Sequence, residues 1–221
     1  MRPIRGVSVQ ILAVLVLALL LALPVLPRAA VSPGDAPADP PSVGSLTGQL
    51  LVAAPDMADP RFAQTVILMV RHNKDGAFGI VINRPAEERP MAAVLEALGL
   101  EDGGDKGTKA EGTIRLYAGG PVDRQMGFVV HSADYHRPET LDIDGKVAVT
   151  SSPEVLRDIA RHRGPAKSLL AFGYAGWGPG QLEAEMAQRS WFVAPGDPSL
   201  IFDEDRQKLW DAAMARRAIT L

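Results

Sequence analysis

Four histidines, at positions 72, 131, 136 and 162, are the side chains of this 221-residue chain best suited to move a proton or hold a metal. None belongs to a His-Glu-x-x-His or other helix-spaced ligand pair, so a metal site would need convergence through the fold. His72 closes an apolar run and precedes Asn73, a place where His or Asn secures a turn by bonding backbone groups. His131 and Ser132 look like a base beside a nucleophile, yet neighbouring strand residues point to opposite faces and cannot form a dyad. A Gly-x-Ser-x-Gly elbow is absent, which leaves a serine hydrolase unsupported. The chain has no cysteine, excluding thiolate nucleophiles, disulfides and Cys-ligated zinc.

The stretch Gly173-Tyr174-Ala175-Gly176-Trp177-Gly178-Pro179-Gly180 is the most distinctive. It is expected to be a loop between a strand and a helix, where free N–H groups could hold an anion. Pro179 and Gly180 stand where a phosphate-binding loop needs Lys and Ser or Thr, so close packing of Tyr174 and Trp177 is the competing role. Carboxylates offer no acid and base pair: Glu183 and Glu185 face different ways on a helix, and Glu154 and Asp158 read as solvated charges. A ligand pocket, if present, is expected near His72, Asn73, Asn83, the Gly119-Gly120-Pro121 turn, His131, and Gly173, Tyr174, Gly176, Trp177 and Gln181. No cofactor, metal or catalytic residue is expected, and the partner is a protein or a small ligand.

These residues need elements to position them. Strands are expected at Leu46–Ala54, Thr65–Arg71, Phe78–Asn83, Ile114–Ala118, Gly127–Ser132, Leu141–Ile143, Lys146–Thr150, Ser168–Phe172, Trp191–Ala194 and Leu200–Phe202. Continuous apolar runs at 65–71 and 78–83 suggest a sheet covered on both faces. Pro85–Pro90 reads as a polar break, and residues 101–112 as a charged, Gly-rich loop. Helices are expected at Met91–Leu98, from Ser151 to Arg163 with a Ser151/Glu154 capping box, at Gly180–Arg189, and after an Asp203 cap. Irregular order with strands in excess predicts an α+β fold.

Ahead of this domain, Arg2 and Arg5 precede thirteen apolar residues, Ile11–Leu23, and the hydrophobic stretch can be extended over 7–26. Residues 1–30 therefore read as a signal peptide or a membrane anchor, with the folded part on the far side of the membrane. Residues 31–45, rich in Pro and Ala, form a linker, and the domain covers 46–221. With 23 basic and 26 acidic residues the net charge is −3, so nucleic-acid binding would need a segregated basic face. The clusters Arg161-His162-Arg163 and Arg216-Arg217 fall near predicted helix ends, where cations suit the helix dipole.

Four segments, GQLLVAAPDMADPRFAQTVILMVRHNKDGAFGIVINRP from Gly48, LYAGGPVDRQMGFVVHS from Leu116, VTSSPEVL from Val149 and AFGYAGWGPGQLEAEMAQRSWFVAP from Ala171, resemble the bacterial YqgE/AlgH family. The resemblance implies a single compact α+β domain with a branched, pseudo-barrel sheet flanked by helices, here preceded by a hydrophobic helix. It implies no settled activity, cofactor or catalytic residue; members are labelled transcriptional regulators or left without a function. Members often carry a cysteine before His72, where this chain has Leu68-Met69-Val70-Arg71, so thiol chemistry cannot operate here. Three functions follow as expectations: a non-catalytic regulatory or binding module tethered to or exported across the membrane, a small-ligand binder or enzyme, and a DNA-linked regulator.

Overall fold

Apolar, β-branched runs form β1 (Leu50–Ala53), β2 (Val66–Asn73) and β3 (Gly76–Val81) in the computed structural model, which describes residues 44–100 and 110–218. β2 and β3 make a tighter hairpin than the sequence suggests, with Asn73 paired to Gly76 across Lys74-Asp75. The Asn73 side chain accepts from the Asp75 N–H at 2.9 Å, fastening the turn. The polar stretch expected to break the chain is instead a strand, β4 (Pro85–Pro90), exposed throughout and paired only with β5 (Thr113–Ala118). Prolines are tolerated there because an edge strand leaves one row of N–H groups outside the ladder. Between them lies α1 (Met91–Ala97), followed by Gly99 at φ 65°.

The chain continues through β6 (Val122–Ser132), β7 (Thr140–Asp142) and β8 (Val147–Thr150) to α2 (Glu154–Ala160). The expected capping box does not form: Pro153 is the N-cap, and Glu154 binds Arg157 at 2.7 Å instead. β9 (Ser168–Trp177) then continues through Gly173–Trp177 of the stretch read as a loop, bending at Gly173 with φ 78°, and leaves only 178–180 as a turn before the next helix. After α3 (Gln181–Ala187) and β10 (Trp191–Ala194), the strand expected at 200–202 is a short helix, α4 (Pro198–Ile201). Asp197 caps α4 by accepting from the Ser199 N–H at 2.8 Å, and Pro198 occupies the first helical position. The last helix, α5 (Leu209–Ala215), starts after Lys208 rather than at Asp203.

One curled, ten-stranded half-barrel results, in the order β10-β1-β2-β3-β9-β6-β8-β7 with every neighbouring pair antiparallel. It branches at β9, whose Leu170–Phe172 also pairs in parallel with Leu116–Ala118 of β5. Alternate residues of β1 and β2 enter two cores: Leu50, Val52 and Leu68 pack with α4 and α5, while Leu51, Ile67 and Met69 pack with Leu182 of α3 and Trp191. Both faces are covered, as the unbroken apolar runs require. A third core joins α1 and α2 over Leu116 and Leu170. Trp210 Nε1 donates to the Ala53 carbonyl at 2.9 Å, latching α5 onto β1.

Among the described residues no helix is long and apolar enough to cross a membrane. The apolar stretch 7–26 with its expected hydrophobic helix, the linker up to residue 43 and the charged 101–109 lie outside the described residues.

Candidate functional site: an arginine-rimmed cleft

Two glycine segments that are distant in sequence meet backbone to backbone. Gly119 donates its N–H to the Phe172 carbonyl at 2.7 Å, and its own carbonyl accepts from Val81 at 2.8 Å. A Cβ on Gly119 would strike the carbonyl oxygen of Gly173, and one on Gly120 the carbonyl carbon of Tyr174. The β5–β6 connection can lie flat on the bend of β9 only because Gly119, Gly120 and Gly173 carry no side chains.

Beside this contact opens a cleft of about 580 Å³. Buried Val81, Leu116 and Tyr117 and half-buried Phe62 and Phe172 give it an apolar floor, and Arg61, Arg84, Arg89 and Arg124 supply its cationic rim. Glu87 is the one acidic residue in the lining among the described residues. Arg84 is held by two bonds from Nη2, to the Ala63 carbonyl at 2.9 Å and to Thr65 Oγ1 at 2.8 Å. Asn83 fastens the same loop: its Oδ1 accepts from Val66 N–H and its Nδ2 donates to the Gln64 carbonyl, both at 2.9 Å. Exposed Arg61 grips Asp59 through Nε and Nη2, and these bonds hold the Asp59 carboxyl below its ordinary range. Arg89 pairs with Glu87 at 3.0 Å. Arg124 is exposed in the stretch where β6 slips register between Val122 and Gly127, and its side chain makes no hydrogen bond or ion pair among the described residues.

An adjoining cleft of about 350 Å³ shares Arg61, Phe62 and Pro121 with the first. Glu185 organises it: Oε2 accepts from Trp177 Nε1 at 2.9 Å and Trp191 Nε1 at 2.7 Å, while Oε1 accepts from Gln181 Nε2 at 2.9 Å. The Trp191 ring meets Trp177 and Phe62 edge to face. Glu185 therefore fixes the orientation of two indoles.

The histidines stand elsewhere. His72 Nδ1 accepts from the Leu46 N–H at 3.1 Å, so its proton sits on Nε2 and is donated to Glu183 Oε1 at 2.8 Å. The expectation that His72 bonds backbone is met, with Glu183 as an unforeseen second partner. Fully buried His131 donates from Nδ1 to the Ser132 carbonyl at 2.9 Å and accepts on Nε2 from Thr150 Oγ1 at 2.9 Å. Thr140 Oγ1, 2.7 Å from Thr150 Oγ1, extends that chain, and burial pushes the His131 pKa down. Asp158 is likewise no solvated charge: it accepts from Tyr135 Oη and Arg137 Nη2, each at 2.7 Å. Burial opposes its ionised form, yet these bonds outweigh the cost and keep its pKa low.

Of the residues expected to line a pocket, then, the structure gathers Gly120, Pro121, Gly176, Trp177 and Gln181 in the lining of the two clefts, and Gly119 and Gly173 in the backbone contact beside them. Asn83 buttresses them, Tyr174 faces a third groove, and His72, Asn73 and His131 are apart. The sequence does not announce the four arginines, which come from separate segments with no diagnostic spacing. Among the described residues no group of three or more His, Asp or Glu is placed to hold a metal.

Comparison with known proteins places this geometry in context. The family model described as AlgH-like matches residues 50–221. The chain belongs to the AlgH-like family. A UPF0301 protein of Jannaschia sp. is 46% identical over 171 residues, covering 76% of this chain and 86% of the relative. One from Methylococcus capsulatus is 43% identical, covering 84% and 98%. The solution structure of the AlgH protein from Pseudomonas aeruginosa matches with a TM-score of 0.63 at 43% identity, over 76% of this chain and 86% of that one. The AlgH-like fold recurs in a protein of Corynebacterium diphtheriae at TM-score 0.60 and 26% identity, over 79% and 88%.

Proposed function

We propose that this AlgH-like domain is a non-catalytic binding module that takes a small anion with an apolar portion in the arginine-rimmed cleft. The observation that carries this reading is the gathering of four guanidinium groups around one apolar concavity in a chain of net charge −3. Guanidinium forks match carboxylate and phosphate oxygens, and the excess of cations over Glu87 around apolar walls favours an entering anion. Arg124 supports it further, since its side-chain donors have no partner among the described residues. The run Ile11–Leu23 behind Arg2 and Arg5 supports a place at or beyond a membrane, as anchor or as cleaved signal. Cell fractionation with sequencing of the mature N-terminus tests that part.

The transcriptional label fits this geometry less well. A duplex needs an extended basic face, whereas these arginines ring a concavity in which Arg61 and Arg89 are already paired to acids. Titration with phenyl phosphate and, separately, with duplex DNA, read by tryptophan fluorescence, decides between the two. A saturable response to phenyl phosphate alone is expected; salt-dependent saturation by the duplex alone would favour the regulator.

A further inference from the structure

A third concavity, of about 620 Å³, lies where β2, β3, β6, β7 and β9 face one another. Val122, Met126 and Leu141 border it, 39%, 42% and 49% exposed, and they are three of the four large hydrophobic residues left exposed among the described residues. Scattered apolar exposure is ordinary, but three such side chains around one groove mark a surface with an occupant. Its floor is the aromatic group Phe78, Phe128 and Tyr174, with ring centroids 4.9–6.2 Å apart, continuous with the main core of the half-barrel. The single charged residue in the lining is Arg71, whose exposed side chain makes no hydrogen bond or ion pair among the described residues.

We infer that this groove binds the apolar tail of a long-chain carboxylate whose headgroup pairs with Arg71. One cation at the rim of an otherwise apolar groove complements one anionic head on one apolar chain. Although β6 leaves residues 123–126 out of its ladder with β9 and β7 is an edge strand at the rim, a polypeptide fits less well over the floor, whose strands spend their backbone groups on each other, as in Ala77↔Trp177, Phe78↔Gly176 and Gly127↔Phe172. A bound peptide backbone would find few partners there, whereas an acyl chain needs none. The site is separate from the arginine-rimmed cleft and does not rest on it.

The test uses the full chain and the fluorescent fatty acid cis-parinarate, excited by energy transfer from tryptophan, with Trp177 in the groove wall. Saturable binding is expected, displaced by dodecanoate, and by dodecanol only at concentrations about tenfold higher. Arg71→Glu should weaken dodecanoate about tenfold and leave dodecanol unchanged, Met126→Asp should weaken both, and Arg124→Ala should affect neither. Absence of saturable binding, or insensitivity to both Arg71→Glu and Met126→Asp, overturns the proposal. So does light scattering that shows a dimer dissociated by Met126→Asp, since the occupant would then be a second copy. Should Met126→Asp fail to fold, the exposed Arg71 variant and the dodecanol comparison still decide.

Discussion

The imidazole of His72 and the carboxylate of Glu183 meet at 2.8 Å although 111 residues separate them, tying α3 to the β2–β3 hairpin. Removing the acceptor strands a donor on a side chain only 4% exposed. Glu183→Ala should therefore cost about 1–3 kcal/mol in urea unfolding. Burial opposes ionisation of Glu183, but bonds from its own backbone N–H and from His72 prevail and depress its pKa. A carboxyl with a depressed folded pKa stabilises the protein fully above its unfolded value of 4.5, and that contribution disappears as pH falls through the folded value. Glu183→Gln should flatten the stability profile in this acid window.

His131 gives a second pH signature, with the same direction for a different reason. Burial keeps the ring neutral in the fold, while the unfolded chain takes a proton near the ordinary value of 6.5. The unfolded state binds more protons below that pH, so stability should fall as pH drops from 6.5 towards the folded pKa. His131→Gln should lose much of that slope, as measured by thermal unfolding across the window.

The glycine contact sorts substitutions that look equivalent in sequence. Gly120→Ala forces a Cβ into the Tyr174 backbone at a residue with φ 156°, and should cost about 2–4 kcal/mol or prevent folding. Gly178→Ala, where a Cβ meets nothing within 4 Å, should stay within about 0.5 kcal/mol of the parent. Calorimetric unfolding of the two variants checks the contrast.

Local physics accounts for what could be read from the chain. The apolar runs of β2 and β3 announce strands covered on both faces because no polar residue interrupts them until Arg71. The glycines at 173 and 176 mimic a loop, yet β9 extends because β3, β5 and β6 supply ladder partners from far away in sequence. Pro85–Pro90 looks like a break for a similar reason: only pairing with β5 makes those polar residues a strand. α4 could have been found, since Asp197-Pro198 is a helix-start signature. The cleft could not, because Arg61, Arg84, Arg89 and Arg124 converge only through tertiary packing, and an exposed arginine in sequence is indistinguishable from a solvated one.

The orientation of the two indoles should depend on one carboxylate. Glu185→Ala removes the shared acceptor of Trp177 and Trp191, leaving the donors of two buried indoles without that partner. A shift in tryptophan emission and a loss of about 1–2 kcal/mol are expected, with the far-ultraviolet circular dichroism unchanged.

The arginine-rimmed cleft is tested most directly by isothermal titration of phenyl phosphate into the parent chain and Arg124→Ala. The Arg124 side chain holds no other part of the fold among the described residues, so the variant should keep its thermal midpoint. One saturable site is expected in the parent, weakened about tenfold in the variant, which corresponds to about 1.4 kcal/mol. Absence of saturable binding to the parent, or equal affinity for the two proteins, would contradict the assignment of the cleft as an anion site.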